Sequence, residues 1–216
     1  MPVITIRGKL GSWAPEIGKG LAQRLHIDYI DREIISEVSS RLNLQEQDIL
    51  AKEMPPTGLR GRIAEALARG YSVGDGIQGV TLPFWQMPLD DGSYIEAITS
   101  FIRELAADHS VVIYGRGSQF ILKNHFQALH VSAVAPFEVR LKRVMDSLHL
   151  SEIRAKQEMN RFDNSAREFM KRFFNAEMED PTHYDIVINS QNFDLDKAVD
   201  LAVQALNCKQ ARLNTV

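Results

Sequence analysis

The run Gly8-Lys-Leu-Gly-Ser-Trp-Ala-Pro15 has the spacing of a phosphate-binding loop, G-x-x-x-x-G-K-S/T, set between a strand-like run and a helix. In that register Trp13 stands in place of the final glycine, Ala14 in place of the lysine and Pro15 in place of the magnesium-binding hydroxyl. Glycine lets backbone wrap closely around a phosphate, lysine offsets its charge and the hydroxyl holds the metal, so three physical functions are replaced. The plainer alternative is a strand-to-helix turn in which Trp13 packs on the surface or fills the phosphate hollow. Glu16 then answers the helix dipole and opposes an incoming phosphate. Gly115-Arg-Gly117, directly after an apolar run, is either a turn with a solvated arginine or a ligand-facing cation. Asp31 either caps the helix that follows or takes part in chemistry. Arg140, Arg143, Arg161 and Arg167 lie in charged helical stretches, where pairing with neighbours such as Glu138 and Glu158 competes with ligand contact. The six histidines show no zinc-site spacing, so no metal ligand is assigned.

The elements that would position these groups alternate. Val3 to Ile6 reads as a buried strand, and Ile17, Leu21 and Leu25 recur at helical spacing after Pro15. A second strand at Ile27 to Ile30 precedes a helix that faces Ile34, Ile35, Val38 and Leu42 inward. A short helix is expected from Leu44 to Lys52, capped by Asn43. Residues 55 to 92 hold most of the prolines and glycines and read as an irregular excursion around a helix at Arg62 to Arg69, the place for a lid or substrate-binding insertion. Regularity returns with a helix (Ser93 to Asp108), a strand (Ser110 to Tyr114), a helix (Gln119 to Asn124), a strand (Leu129 to Val134) and a helix opening at Pro136. A charged helical stretch (Ser151 to Phe174), a strand (Tyr184 to Ile188) and a helix capped by Asp194 and ending near Cys208 follow. Five short strands separated by helices predict a parallel sheet covered on both faces. Ligands of such a sheet bind beyond the carboxyl ends of the strands, which selects Arg7 to Glu16, Asp31-Arg32, Gly115 to Gly117 and Pro136 to Arg143. The Phe84-Trp85 and Phe173-Phe174 pairs read as packing residues.

The 216 residues suffice for one sizeable core, and a net charge of −3 with interspersed signs gives no footprint for nucleic acid or an anionic membrane. A single cysteine, Cys208, fits a reducing compartment, and no stretch reaches the roughly 20 apolar residues of a membrane span. The N-terminus enters a strand without an apolar leader, so a cytoplasmic protein is expected, with homo-oligomer formation left open.

Taken together, Ile4-Thr-Ile6, Gly11-Ser12, Glu16-Ile17, Leu21-Ala22 and Tyr29-Ile-Asp-Arg-Glu-Ile-Ile35 resemble the opening of cytidylate kinase-like proteins of the P-loop kinase superfamily. Val111 to Gly117, His130-Val131, Ala135-Pro136 and Tyr184 to Asn189 resemble that family's later strands and loops. The resemblance implies an α/β, three-layer P-loop kinase-like fold with a five-stranded parallel sheet and a helical lid. It implies one domain over residues 1–208, with 55–92 an insertion, 151–175 lid-like helices and 209–216 a tail. Many relatives carry Gly-Ser-Gly-Gly-Arg-Glu-Ile where this chain has Gly11-Ser-Trp-Ala-Pro-Glu-Ile17. The implied activity is transfer of a phosphoryl group from ATP, with magnesium, to a nucleoside monophosphate, CMP or dCMP first. The alternative is a kinase-fold protein without ATP chemistry that binds nucleotide or acts through protein contacts. By the resemblance, Gly8, Lys9, Gly11, Ser12, Trp13 and Arg143 would meet the cofactor. Arg116, Arg140, Asp163 and Asn164 would meet the substrate, and Asp31, Arg161 and Arg167 would serve catalysis, Asp31 by orienting the acceptor hydroxyl or holding magnesium through water.

Overall fold

The computed structural model describes residues 1–31, 33–46, 49 and 91–213. Most of the helix expected from Leu44 to Lys52, the excursion up to residue 90 with its helix at Arg62 to Arg69, and the Phe84-Trp85 pair lie outside these residues. The excursion's last two residues, Asp91 and Gly92, already belong to a helix.

The described chain runs β1 (Val3–Gly8), α1 (Ala14–Leu25), β2 (Asp28–Ile30), α2 (Glu33–Leu42), α3 (Asp91–Asp108), β3 (Val111–Tyr114) and α4 (Ser118–Ile121). It continues through β4 (Ala128–Val134), α5 (Phe137–Leu148), α6 (Glu152–Phe174), a 3-10 turn (Pro181–His183), β5 (Ile186–Asn189) and α7 (Leu195–Leu213). All five strands are parallel, in the order β2-β3-β1-β4-β5.

Strand alternation divides the core into two layers. Ile4 and Ile6 of β1, with Val112, Leu129 and Val131, meet Ile17 and Leu21 of α1 and Val199 and Leu206 of α7. Val3 of β1, with Val111 and Ile113, meets Ile34 and Val38 of α2, Tyr94, Ile98 and Ile102 of α3, and Phe169 and Met170 of α6. Because successive side chains point to opposite faces, Thr5 and Arg7 share the second layer with Val3.

Several boundaries depart from the sequence reading, β5 for example lying at Ile186–Asn189 and not Tyr184 to Ile188, and three of them have an evident cause. β1 continues two residues past Ile6, since Arg7 and Gly8 pair with Ser132 and Ala133 of β4, so Arg7 is a strand residue and not the start of the loop. α4 stops at Ile121 rather than Asn124, where Leu122 leaves helical geometry. α7 runs on to Leu213, past Cys208, because no glycine or proline stops it and Lys209 ties it to β4 and Asp185 through bonds of 2.7 and 2.6 Å. The cap expected of Asp194 forms, its carboxylate accepting from the Lys197 amide at 2.8 Å.

Candidate functional site at the carboxyl ends of the strands

β1 delivers Gly8 so close to β4 that a Cβ there would lie 2.5 Å from the Ala133 carbonyl oxygen. The loop then turns through a Ser12 amide to Lys9 carbonyl bond of 3.0 Å. Gly11 (φ 80°) and Trp13 (φ 68°) adopt left-handed backbone on either side of Ser12, and α1 begins at once with the Ile17 amide on the Trp13 carbonyl at 2.8 Å. Left-handed residues alternating in a strand-to-helix turn gather amide groups into a concavity of the kind that receives anions. A left-handed tryptophan costs about 1–2 kcal/mol that a glycine there would not. Ser12 is fully buried, and its hydroxyl has no partner among the described residues.

The cations predicted around this loop are engaged by the protein itself. Arg140 and Asp163 form a buried ion pair at 2.9 Å; Arg140 also donates to the Leu10 carbonyl at 3.0 Å, and Asp163 accepts the Leu10 amide at 3.1 Å. The Leu10 side chain packs with Leu141 and Val144 of α5 and Ala155 and Met159 of α6. α5 and α6 therefore clamp the outer edge of the loop. Arg143 bonds the Gly11 carbonyl (3.2 Å) and the hydroxyl and carbonyl of Ser190 (2.8 Å each), with its guanidinium 3.5 Å above the Trp13 ring. The Ser190 hydroxyl in turn donates to the Ser12 carbonyl at 2.9 Å. Lys9 pairs with Glu179 at 2.9 Å, and Arg167 reaches the same carboxylate at 3.4 Å while bonding Asn164 at 2.8 Å. Arg161 is exposed and paired with Glu158 at 2.8 Å on its own helix.

On the β2–β3 side, Asp31 and Arg116 are joined at 2.5 Å. Arg116 sits at φ 48° between Gly115 and Gly117, also left-handed, which turns its side chain back toward the Tyr114 carbonyl. The Asp31 amide donates to Glu33 at 2.9 Å, and this bond holds the Glu33 carboxyl below its ordinary range. Burial, with Asp31 adding to it, pushes the Tyr114 hydroxyl up to about 12. A cavity of about 490 Å³ opens here, floored by Arg7, Gly8, Tyr114 and Arg116 and walled by Phe162, Ser165 and Phe169 of α6. A second cavity of about 430 Å³ lies on the β4–β5 side, reaching Lys9, Phe137, Arg140, Glu179 and Tyr184. Arg7 and Gly8 line both.

Of the residues selected from sequence, Asp31, Arg116 and Gly8 thus meet at the first cavity, and Gly8, Lys9 and Arg140 at the second. Gly11, Ser12, Trp13 and Arg143 form the inner side of the loop, joined to Ser190, while Asp163 and Asn164 sit on α6 with only Asp163 turned to the loop. Arg161, Arg167 and Arg143 line neither cavity. Sequence reasoning put Arg7 in the ligand-facing segment Arg7 to Glu16 without giving it a role, and it missed Ser165 and Phe169 as cavity residues. A charged side chain at the end of an otherwise apolar run was the available signal for Arg7.

The residues present do not fit magnesium-bound ATP in the usual loop arrangement. Pro15 offers no hydroxyl and Ala14 no charge, the Leu10 amide is occupied, and among the described residues no three His, Cys, Asp or Glu side chains gather to hold a metal. Among the described residues no helix is long and apolar enough to cross a membrane.

Solved structures share this architecture. An uncharacterized protein from Eubacterium ventriosum matches with a TM-score of 0.68 at 19% identity, over 96% of this chain and 99% of the other. Shikimate kinase from Bacteroides thetaiotaomicron matches with a TM-score of 0.51 at 15% identity, over 95% and 96% of the two chains. A sugar kinase from Janibacter sp. matches with a TM-score of 0.52 at 14% identity, over 96% and 95%. At such identities the likeness is one of fold, and the fold is that of P-loop kinases. No curated protein sequence matches. The profile of the cytidylate kinase-like family covers residues 3–192, and with that span matched the chain belongs to the cytidylate kinase-like family.

Proposed function

We propose that this protein is a nucleotide-binding member of its kinase-fold family that receives a nucleoside monophosphate in the cavity between β1–β3 and α6 and has given up ATP turnover. The carrying observation is the internal engagement of the loop: the Leu10 amide is held by Asp163, Arg140 by Asp163, and Arg143 by Trp13 and Ser190. A phosphate donor has neither the lysine nor free arginines to meet there. The acceptor side keeps an open hollow lined by Arg116, which is paired with Asp31 and carries a guanidinium of the kind that makes paired hydrogen bonds to a phosphate or a base edge. CMP and dCMP are the first ligands to test, and the cytoplasm is the compartment this reading requires.

Thermal unfolding with each ligand decides it. A monophosphate at 100 times its dissociation constant stabilises by about 2.7 kcal/mol. In a chain of this size that raises the midpoint by about 5–11 °C. Stabilisation by CMP or dCMP but not by ATP with magnesium is expected, and Arg116→Ala should abolish it. If no monophosphate shifts the midpoint at millimolar concentration, the proposal is wrong.

A second reading, an ATP-dependent monophosphate kinase, is favoured by one observation: the left-handed backbone at Gly11 and Trp13 keeps the amide concavity in shape. It requires α6 to release Leu10, with Arg140, Arg143, Arg161 and Arg167 freed to offset phosphate charge and Asp31 freed to orient the acceptor. A coupled assay that detects ADP only when a monophosphate is present would establish it.

A further inference from the structure

Arg7 is 5% exposed, and its guanidinium is a permanent charge in a protein interior. Buried charges are ordinarily paired, because removing an ion from water without a partner costs several kcal/mol. Among the described residues Arg7 forms no ion pair. One terminal nitrogen, Nη2, rests against the Met178 sulfur, and the other, Nη1, is buried with no hydrogen-bond partner. The acid that acts on it, Glu179, already holds Lys9 and Arg167. The neighbouring Tyr184 hydroxyl gives its own proton to the Met178 carbonyl at 2.8 Å and acts on Arg7 only as a neutral acceptor, which supplies no counter-charge. Burial accordingly pulls the Arg7 guanidinium below its ordinary value.

A second polar atom in the same cavity is in the same state. Ser165, on α6 and 4% exposed, has a buried hydroxyl without a partner among the described residues. Arg7 from β1 and Ser165 from α6 line one hollow, together with an apolar wall of Ile35, Phe162, Phe169 and Met170 and the polar groups Asp31, Glu46, Tyr114 and Arg116. A buried guanidinium without an ion pair among the described residues and an idle hydroxyl, set beside an apolar wall, are complementary to an oxyanion carried on a flat apolar body.

We infer that Arg7, assisted by Ser165, is the anion-anchoring residue of this cavity, taking the oxyanion of a small molecule whose ring lies against α6. This rests on the proposed use of the cavity but not on any phosphoryl transfer. Arg7 thus gives this cavity, beside Arg116, a cation fixed by a strand.

The test is calorimetric titration and thermal unfolding of the full chain with inorganic phosphate, CMP, cytidine and benzoate. Phosphate and CMP should raise the unfolding midpoint, and cytidine should not. Arg7→Met should weaken CMP binding by about tenfold or more, the loss expected for a charged hydrogen bond. Without ligand Arg7→Met should melt at or above the wild-type temperature, because it removes a buried charge that has no counterion. Ser165→Ala should weaken binding severalfold with the unliganded midpoint unchanged, and it decides the matter alone if Arg7→Met fails to fold. A lowered midpoint in Arg7→Met with CMP affinity retained would make Arg7 structural and overturn the inference. CMP binding indifferent to both variants would also sink it while leaving the monophosphate reading intact. A response to benzoate but not CMP would support the anchor and refute the nucleotide.

Discussion

Asp163→Ala tests the clamp that holds the loop. Asp163 is 8% exposed and its partner Arg140 7% exposed, with 2.9 Å between their charged groups. The same carboxylate accepts the Leu10 amide at 3.1 Å. Removing one member of a buried pair strands the other, at a cost of about 3–5 kcal/mol. Losing the acceptor of the Leu10 amide adds about 1 kcal/mol. The unfolding midpoint of a chain this long falls by about 2–4 °C per kcal/mol, so a drop of about 8–24 °C is expected. Urea unfolding should show the midpoint moving with the slope unchanged. Arg140→Met in the Asp163→Ala background should recover much of the loss, since replacing both charges by apolar groups is often neutral, and the cycle should give a coupling of about 2–3 kcal/mol. A loss under about 1 kcal/mol, or a double variant as unstable as the sum of the singles, would show that the pair does not act as a clamp. The released Leu10 amide gives a further readout. If the kinase reading holds, Asp163→Ala shows a larger ATP-dependent rise in midpoint than the wild type.

Gly11→Ala forces a side chain onto left-handed backbone with its Cβ 2.6 Å from the Arg140 carbonyl oxygen, so chemical denaturation should show a loss of about 2 kcal/mol or more. Ser12→Ala removes a buried hydroxyl that has no partner, so stability should stay within about 1 kcal/mol of wild type or rise, and a loss above 2 kcal/mol would reveal a bond the structure lacks. His130, bonded to the Thr5 hydroxyl at 2.8 Å, is pulled down to about 4 chiefly by burial, against the opposing charge of Asp185. The unfolded chain therefore takes up this proton near pH 6.5 while the folded chain waits until about 4, so stability should fall as pH drops through that window, by at most about 3 kcal/mol. His130→Gln should flatten that part of the urea midpoint against pH, and an unchanged slope would assign it to other groups.

The architecture was legible because strands and helices differ in period. Val3-Ile4 and Val111 to Ile113 are short apolar runs, Leu129 and Val131 flank His130 in a third, and Ile17 and Leu21 recur a helical turn apart, so five strands and their covering helices followed from local pattern. The phosphate-loop frame was equally local. Contacts between Asp163 and Leu10, Arg143 and Ser190, or Lys9 and Glu179 join positions far apart in sequence, and nothing in the spacing of Arg140 and Arg143 says whether they face ligand or protein. Arg7 was hidden for a different reason. Taken as the first loop residue it had no assigned direction, and only the pairing of Arg7 and Gly8 with β4 fixes which layer it enters.

That direction explains why a cation for this site sits at position 7. Along β1, Val3, Thr5 and Arg7 point into the layer covered by α2, α3 and α6, where the larger cavity opens. Position 8 cannot carry a side chain, since its Cβ would lie 2.5 Å from the Ala133 carbonyl oxygen, and position 9 lies in the loop, where Lys9 reaches Glu179 instead. Exchanging the two residues, Arg7→Gly with Gly8→Arg, keeps the composition and net charge of the chain. It should nevertheless unfold at lower denaturant and lose any oxyanion response. A folded exchange variant that still binds CMP would mean that the site needs only a nearby positive charge, not a guanidinium aimed by strand parity.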